Sequence, residues 1–381
     1  MTEQMTEERA ALVHAVRSFA QAELAPNAAT WDAEKFFPVD TLRRAGELGL
    51  GAIYVRDDVG GSDLSRQDAL AIFEELAKGD TTIAAYISIH NMVVWMIDSF
   101  GTEDQRHTWI PRLAAMEDLG SYCLTEPGAG SDAAAITTSA RREGDYYVLN
   151  GVKQFISGAG SSAVYLVMAR TGDPGAHGIS AILVPAGIEG LSFGPKEKKM
   201  GWNAQPTRQV IFDDVRVPVA NRLSEEGEGF HIAMQGLNGG RVNVGACSLG
   251  GAQWALEETV RYVRERHAFG SALAEQQSVV FTLADMETDL QAARAVLQRA
   301  ATKMDEKASD VVAACALAKR FATDAAFRVA NSALQLHGGY GYLQDYGIER
   351  VVRDLRVHQI LEGTNEIMRV IIGRSLLQEQ S

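Results

Sequence analysis

Two glutamates near the C-terminus have a spacing and a setting suited to acid–base chemistry. Glu362 and Glu366 lie four residues apart in the segment HQILEGTNEIMR, residues 358–369, with apolar residues on either side. Gly363 follows the first glutamate and interrupts the helical pattern. An acid held among apolar neighbours is partly desolvated, which raises its pKa and makes its carboxylate a better base. The alternative is a solvated pair at positions i and i+4 of one helix.

The helices around these acids can be predicted from the spacing of apolar residues. Residues 348–361 fit one helix, and the apolar positions within 368–376 fit the next. Thr364 or Asn365 can cap the second helix. We therefore expect Glu362 to be the last residue before a kink and to project from a rigid helix end.

A glycine-rich segment, YCLTEPGAGSD at residues 122–132, has the character of a ligand-binding loop. Gly128 and Gly130 let the backbone approach a ligand closely. Thr125, Ser131 and the exposed N–H groups can bond ring atoms or phosphates. An ordinary glycine-rich turn is the alternative. The segment formally fits GxGxxA, but a Rossmann site is not favoured because no βαβ unit surrounds it.

Three further stretches carry residue types that bind nucleotides. Ser157, in Phe155-Ile156-Ser157 at the end of a predicted strand, can touch a planar ring or simply end that strand. In RERHAFG, Arg266 can pair with phosphate and Phe269 can stack on an aromatic ring, or the stretch is a solvated basic helix end. QLHGGYGY, residues 335–342, is typical of a helix C-cap whose bare backbone could support a nucleotide. His337 has no partner at ligand spacing, so a metal site is not indicated.

The elements that must position these stretches fall into three blocks. Residues 1 to about 117 have a helical pattern, about 120 to 220 consist of short β-branched and aromatic runs, and the helical pattern then returns. Asn150-Gly151 and Asp173–Gly175 are predicted to be turns between strands. The order predicts an α+β fold with a β domain inserted between two helical ones. The predicted boundaries are 1–118, 119–222 and 223–381.

Composition narrows the class of protein. The chain has 381 residues, 46% of them hydrophobic, which suits more than one compact core. The net charge of −13 argues against a nucleic-acid binder. The three cysteines are far apart and include no CxxC pair, so neither a disulfide framework nor a zinc site is indicated. The N-terminus reads as an amphipathic helix and no run is apolar enough for a membrane span, so we expect a soluble, cytosolic protein.

Taken together and in this order, these stretches resemble the acyl-CoA dehydrogenase family over essentially the whole chain. Leu124–Asp132, Gln335–Gly339 and Leu361–Glu366 carry the resemblance jointly, although none would be specific alone. Within the family, the chain looks most similar to members that act on isobutyryl-CoA. That similarity depends on Ser88–Met92, Trp95–Gly101, Gly236–Arg241 and Val357–Gly363.

The resemblance implies an acyl-CoA dehydrogenase-like fold, with an N-terminal helical domain, an antiparallel, β-barrel-like middle domain and a C-terminal four-helix bundle. It also implies FAD as cofactor. In the family, the flavin-ring residues and the pyrophosphate and adenosine residues come from different subunits, which implies a dimer, usually within a homotetramer built as a dimer of dimers. The residues implied to bind FAD are Tyr122, Cys123, Leu124, Thr125, Gly130, Ser131, Phe155, Ile156, Ser157, Arg266, Phe269, Gln276, Gln277, Gln335, Gly338, Gly339, Thr364, Asn365 and Glu366. Those implied to bind the acyl-CoA are Ser131, Asn238, Gly239, Gly240, Arg241 and Arg374.

The resemblance also answers why an acid and a glycine interrupt the C-terminal helices. Glu362 would be the catalytic base that removes the proton α to the thioester carbonyl, while the β-hydride goes to flavin N5. The backbone N–H of Glu362 and a ribityl hydroxyl of FAD would stabilise the carbonyl oxygen. Some family members place the base just before the arginine at position 241, but this chain has Gly240 there.

The implied reaction is the oxidation of a short branched acyl-CoA, first of all isobutyryl-CoA to methacrylyl-CoA in valine breakdown. 2-Methylbutyryl-CoA and butyryl-CoA are alternative substrates. An acyl-CoA oxidase is less expected, because oxidases of the family usually carry an extra C-terminal helical domain. An inactive flavin-bearing binding protein is an alternative of another class. Electron-transfer flavoprotein is the implied electron acceptor, and the lack of a visible transit peptide suggests a bacterial cytoplasmic enzyme.

Overall fold

A computed structural model describes residues 3–378 as three successive blocks of secondary structure. The first block is helical, and a short π-helical turn, Ala20–Leu24, extends its first helix. Ser65 and Thr102 begin two of its helices with capping boxes, and Asp80 caps a third, as these residue types favour. The helices are α1 Glu3–Phe19, α2 Ala28–Glu34, α3 Val39–Glu47, α4 Arg66–Gly79, α5 Thr81–Phe100 and α6 Glu103–Ala114.

The long helix α5 is the one described helix with the length and apolarity of a membrane span. However, 78% of its most apolar window is buried inside the fold. Its side chains pack against α4, α6 and the C-terminal helices, so its apolarity serves the protein core.

The middle block is one eight-stranded sheet. The strands are β1 Gly120–Cys123, β2 Ser139–Glu143, β3 Tyr146–Ser157, β4 Val164–Arg170, β5 Ile179–Pro185, β6 Leu191–Phe193, β7 Thr207–Pro218 and β8 Arg222–Leu223. Seven of them follow the order β6-β7-β3-β2-β4-β5-β8. Most neighbouring strands are antiparallel, as predicted. However, β1 pairs with β4 in parallel, and β2 pairs with β4 in parallel at one position, Ser139 with Arg170. The predicted antiparallel domain therefore also contains two parallel pairings.

The predicted turn at Asn150-Gly151 is also wrong, since both residues lie inside β3. The pairing of β3 with β7 shifts register between Leu149 and Gly151, which marks a β-bulge. The Asn150 amide donates to Asp214 at 2.8 Å, which fixes the bulge to the partner strand. Gly151 has a φ of +143°, and a Cβ there would lie 2.7 Å from Thr138. Asn-Gly is a turn signal locally, but here the long neighbouring strand keeps the chain extended.

The third block contains three long helices and two short ones. The helices are α7 Gly229–Glu265, α8 Gln277–Asp305, α9 Val311–His337, α10 Ile348–His358 and α11 Asn365–Gln378, with the small hairpin of β9 His267–Ala268 and β10 Ser271–Ala272 between α7 and α8. In place of a single fourth helix, α10 and α11 both pack on α9. One apolar core joins α4 and α5 to α7, α8 and α9. The exact domain boundaries stay predictions.

Candidate active site

Glu362 lies in a loop rather than at the end of a helix. The helix predicted for 348–361 ends at His358, three residues early, so the prediction is wrong there. The N–H groups of Ile360 and Leu361 both donate to Val357, at 2.8 and 3.0 Å, and the chain then turns away. Thr364 starts α11 by accepting a hydrogen bond from Ile367 at 3.3 Å, as predicted for the cap.

Glu362 has a left-handed backbone conformation, with φ of +56°, and Gly363 follows at +87°. Such a conformation is costly for a residue with a Cβ and is common at functional sites. Phe155 and Phe269, two other candidate site residues, are left-handed as well, at +60° and +53°. The sequence gives a reason for Gly363 alone, because glycine adopts this conformation without strain.

The carboxylate of Glu362 rests on Gly240 of α7. A Cβ on Gly240 would lie 2.6 Å from Glu362 Oε2, so the glycine makes room for the acid. Glu362 Oε2 is buried and has no hydrogen-bond partner within residues 3–378. Burial raises the pKa of the Glu362 carboxyl to about 7, although the charges of Arg241 and Lys319 both lower it. This is an acid poised to exchange a proton near neutral pH.

Two further buried polar atoms near Glu362 lack partners in the described part of the chain. They are the phenol oxygen of Tyr122 and Nη1 of Arg66. Burial, and then the charge of Glu362, raise the pKa of Tyr122 well above its ordinary value, so its phenol stays protonated. Arg66 stacks 3.5 Å from the ring centre of Tyr54, and its Nη1 would lie 2.8 Å from a Cβ on Gly239. Buried polar atoms normally have hydrogen-bond partners. Atoms that lack one inside the protein are available to bond a polar ligand.

The predicted acyl-CoA residues on α7 are buried, and two of them, Gly240 and Arg241, lie against Glu362. Arg241 donates through Nη1 to Asn238 at 2.8 Å and through Nε to the Glu362 carbonyl at 3.3 Å. Asn238, Gly239, Gly240 and Arg241 are all buried. The side chains of Asn238 and Arg241 are therefore bonded to each other, and Arg241 also bonds the backbone of Glu362, whereas Ser131 and Arg374 are exposed.

The predicted flavin-ring residues differ in what they can present. The side chains of Cys123, Leu124 and Ile156 are buried in apolar clusters, so only their backbone groups could reach a cofactor. Phe155 is 63% exposed, and Gly130 and Ser131 are exposed too. A Cβ on Gly128 or Gly130 would meet nothing within 4 Å, which leaves an open cradle for a planar ring. The half-buried Thr125 and Ser157 lie on the same loop and strand.

A buried ion pair that sequence reasoning missed fixes this loop to the sheet. Lys153 of β3 donates to Glu126 at 2.8 Å and to the carbonyl of Leu124 at 2.9 Å. Burial, the largest single effect, raises the pKa of Glu126, but the Lys153 charge and the hydrogen bonds from Lys153, Thr138 and Thr137 together outweigh it, and the pKa falls to about 2. Glu126 also accepts from the N–H groups of Thr137 and Thr138. The sequence around Lys153 does not show that it pairs with Glu126, which lies 27 positions earlier in the chain.

The second group of predicted cofactor residues lines an open groove. Its cavity of about 340 Å³ is bounded by ten residues, among them Arg266, Gln335, Gly338 and Gly339. Arg266 lies 5.3 Å from the ring centre of Tyr340. The other lining residues are Tyr262, Leu273, Leu336, His337, Tyr340 and Leu343.

Residues beside this groove are open to solvent in the single chain. Phe269 is 99% exposed, Gln277 is exposed at the start of α8, and Gln276 donates to Ser271 at 3.1 Å. His337 stacks on Tyr262, with ring centres 4.3 Å apart, so this aromatic packing explains why a histidine lies here.

The groove and the Glu362 site are far apart within one chain. Arg241 lies beside Glu362, and Arg266 caps the far end of α7. At 1.5 Å of rise per residue, about 37 Å of helix separates them. A ligand that touched both places in the same chain would have to span this distance.

The three predicted cofactor residues after Gly363 divide into different environments. Asn365 is 3% exposed, and its amide donates to Thr323 and Asp324 at 3.0 and 2.7 Å. Its side chain is therefore engaged inside the protein. Glu366 is exposed and pairs with Arg369 at 3.2 Å, and Thr364 is half-buried at the cap of α11.

Sequence comparisons identify the class of protein that this fold and site define. The chain matches the descriptions "Acyl-CoA dehydrogenase, N-terminal domain" over residues 6–117, "middle domain" over 121–215 and "C-terminal domain" over 227–377. The chain belongs to the acyl-CoA dehydrogenase family, as the sequence predicted. Members of this family depend on FAD and act on acyl-CoA.

Particular relatives are similar along nearly the whole chain. "Isobutyryl-CoA dehydrogenase, mitochondrial" of Bos taurus is 55% identical over 375 residues, covering 98% of this chain and 90% of the relative. The protein of the same name from Dictyostelium discoideum is 53% identical over 376 residues, with the same coverage. Among solved structures, butyryl-CoA dehydrogenase from Megasphaera elsdenii has a TM-score of 0.95 and 37% identity, covering 99% of both chains.

The residues present fit FAD. The open cradle at Gly128 and Gly130 and the exposed Phe155 provide a place for a planar ring. The groove at Arg266 and Gly338 offers a cation and bare backbone suited to a pyrophosphate. FAD would supply the hydride acceptor when bound. Sequence reasoning missed four residues that support these sites, because none of them belongs to a recognisable motif. They are Tyr54, Arg66, Lys153 and Lys319.

Proposed function

We propose that this chain oxidises isobutyryl-CoA to methacrylyl-CoA, with Glu362 as the base that removes the α-proton. The observation that carries the proposal is the buried Glu362 carboxylate on Gly240, with Oε2 unpaired among the described residues and a pKa raised to about 7. The choice of substrate is supported by the names of the Bos taurus and Dictyostelium discoideum relatives, which are 55% and 53% identical.

The local geometry suits removal of a weakly acidic proton. A carboxylate cannot deprotonate the carbon next to a thioester unless charge on the carbonyl oxygen is stabilised. The N–H of Glu362 forms no hydrogen bond with another described residue, so it can donate to that oxygen. Its left-handed backbone presents base and donor from the same residue. Gly363 adds no side chain that would obstruct the thioester.

The protonation state of Glu362 sets the expected pH dependence. With a pKa near 7, the carboxyl is mostly protonated at pH 6 and mostly ionised at pH 8. The rate of α-proton removal should therefore rise with pH through this range. Tyr122 stays protonated over the same range and can donate a hydrogen bond to the ligand.

We infer that the working unit is at least a dimer. A single chain places the Arg266 groove and the Glu362 site about 37 Å apart along α7. A second copy could bring its groove to the first copy's flavin-ring residues, and each FAD would then touch two chains. Ser131 and Arg374 are exposed, as contacts for the CoA part of the substrate would need to be. A dimer of such dimers remains the proposed assembly.

We propose electron-transfer flavoprotein as the electron acceptor. A solved structure described as "Electron transferring flavoprotein of Acidaminococcus fermentans" contains a chain with 38% identity and a TM-score of 0.96 to this one. Relatives from Bos taurus and Dictyostelium discoideum are named mitochondrial, which gives no support to the predicted bacterial cytoplasm.

The test is anaerobic mixing of the FAD-loaded protein with acyl-CoA while the flavin absorbance is followed. Isobutyryl-CoA should bleach the flavin fastest, ahead of 2-methylbutyryl-, butyryl- and isovaleryl-CoA. Faster bleaching by butyryl- or 2-methylbutyryl-CoA would keep the family reaction and reject the substrate. No bleaching by any of the four would reject the reaction and favour an inactive flavin-binding protein. Rapid reoxidation by oxygen would point to an oxidase.

A further inference from the structure

The loop that carries Glu362 is held by two buried cations on two different helices. Arg241 of α7 donates to the carbonyl of Glu362, and Lys319 of α9 donates to the next carbonyl, that of Gly363, at 2.8 Å. Both carbonyls belong to the left-handed residues at 362 and 363. Because a left-handed Glu is strained, contacts outside the loop must favour this conformation over its alternatives.

Lys319 is fully buried, and its ammonium is used on this loop. Besides the Gly363 carbonyl, it donates to Asn365 Oδ1 at 2.9 Å. Asn365 in turn donates to Thr323 and Asp324, which ties the start of α11 to α9. A buried ammonium is expensive unless oxygen atoms satisfy it. The two oxygen atoms bonded to Lys319 belong to the four-residue stretch that begins at Glu362.

We propose that Lys319 is a positioning residue for the base: it holds the left-handed turn of Glu362 and Gly363 against α9, and its charge favours the carboxylate form of Glu362. A neutral side chain at position 319 would loosen the turn and make the acid harder to ionise.

The charges around both groups determine the sign of the expected effect. Glu362 is influenced by Arg241 from α7 and Lys319 from α9, while the phenols of Tyr122 and Tyr54 lie near enough to be affected by its charge. Burial lowers the pKa of Lys319 to about 8, so the lysine is still charged where Glu362 titrates near pH 7.

The groups that act on Lys319 complete the electrostatic description. Glu362, Asp324 and Glu366 favour the charged lysine, and Arg241 opposes it. Loss of the Lys319 charge removes one of the two cations that favour the carboxylate. The Glu362 titration should then move to higher pH.

The test measures the Glu362 titration directly by infrared difference spectroscopy on the FAD-loaded protein. Each Lys319 variant is compared with the same variant carrying Glu362→Gln, and the carboxyl and carboxylate bands are followed from pH 5 to 9. Lys319→Met should raise the midpoint by about one pH unit. Arg328→Met is the matched control, since Arg328 is an exposed cation on the same helix and pairs with Asp289. Its midpoint should equal that of the unmodified protein.

Two further variants separate charge from hydrogen bonding and guard against misfolding. Lys319→Gln keeps a donor but no charge, so its midpoint should rise as in Lys319→Met. Lys319→Arg keeps the charge, so its midpoint should stay within a few tenths of a unit. At pH 7, a rise of one unit cuts the ionised fraction of a group with pKa 7 about fivefold, and kcat should fall by that factor while KM changes little. An unshifted midpoint in both Lys319→Met and Lys319→Gln overturns the proposal.

The kinetic part of this test rests on the proposed function, whereas the infrared titration does not. If the protein fails to oxidise any acyl-CoA, the proposed reaction is rejected and the titration still decides the function of Lys319. If Lys319→Met fails to fold, the comparison of Lys319→Gln with Lys319→Arg decides it alone.

Discussion

The Glu362 site and the Arg266 groove are both predicted to serve one cofactor, yet they are built in opposite ways. The Glu362 carboxylate is buried between α7, α9 and β1, and its neighbours Arg241 and Lys319 are fixed by hydrogen bonds. The groove is open, and Phe269 beside it is almost fully exposed. Only the first region is preorganised within a single chain.

The difference indicates what fixes the positions of the side chains in each region. Within the Glu362 site, glycines on α7 and cations on two helices determine the position of the acid before any ligand arrives. The groove instead offers bare backbone and aromatic rings, which another copy would complete under the proposed assembly. Substitutions in the first region should change the rate of chemistry, and substitutions in the second should change cofactor retention and assembly.

The largest expected effect comes from removing the base. Glu362→Gln keeps the shape of the side chain but cannot accept the α-proton, so flavin reduction by isobutyryl-CoA should slow by at least about 10³-fold. Stopped-flow absorbance measures the rate, and the ratio of FAD to protein should be unchanged. Glu257→Gln, at an exposed glutamate of α7, is the control and should retain the full rate. A Glu362→Gln protein with near-normal rate would remove Glu362 from the mechanism.

A smaller but still large effect is expected from filling the space beneath the acid. The Cβ of Gly240→Ala would lie 2.6 Å from Glu362 Oε2 and displace the carboxylate. We expect kcat/KM to fall about 10- to 100-fold with little loss of FAD, because small misplacements of a base are costly. Gly373→Ala is the matched control on α11, where a Cβ meets nothing within 4 Å. Equal activity of the two variants would show that the carboxylate position is not critical.

For the groove, a pair of neighbouring glycines sharpens the comparison. A Cβ at Gly338 or Gly339 would meet nothing within 4 Å, but only Gly338 has a positive φ, of +58°. Gly338→Ala should therefore strain the backbone and weaken FAD binding about tenfold, whereas Gly339→Ala should cost less. Fluorescence titration of the apoprotein with FAD measures both affinities. A flavin that is retained but reduced slowly in Gly338→Ala would instead link the groove to the chemistry.

The smallest effect is a difference in thermal stability with pH. The folded pKa of Glu362 is raised to about 7 from an ordinary value near 4.5, so its contribution to stability is fully present below pH 4.5 and is lost as pH rises through 7. Glu362→Gln should therefore raise the melting temperature more at pH 8 than at pH 5. The gain corresponds to no more than about 3 kcal/mol. An equal change at both pH values would mean that the acid is not desolvated.

The sequence predicted the three-block fold because periodicity changes sharply along the chain. It identified Glu362 and Gly363 because an acid and a glycine interrupt an apolar helical pattern. It misplaced the end of α10 by three residues, since the turn after His358 is favoured by contacts from α7 and α9 that no local pattern contains. Asn150-Gly151 misled for the same reason, because pairing with β7 overrides a strong local turn signal.

The supporting residues of the site were beyond sequence reasoning for a related cause. Three of these residues, Lys153, Lys319 and Arg66, have long cationic side chains that extend to buried groups on other elements. The bonded partner is 27 positions away in the chain for Lys153 and 44 positions away for Lys319. Nothing at their own positions distinguishes them from solvated surface residues. Their function depends on burial, which is a property of the fold as a whole.

The single rigid helix α7 has a consequence for mixtures of variants. It carries Gly240 and Arg241 for one active site and Arg266 for another, so each chain contributes different parts to two cofactors under the proposed assembly. A chain with Glu362→Gln retains a sound groove, and a chain with a disabled groove retains a sound base. Co-expressing two such inactive proteins should restore activity, because each mixed pair contains one site whose two halves are both intact.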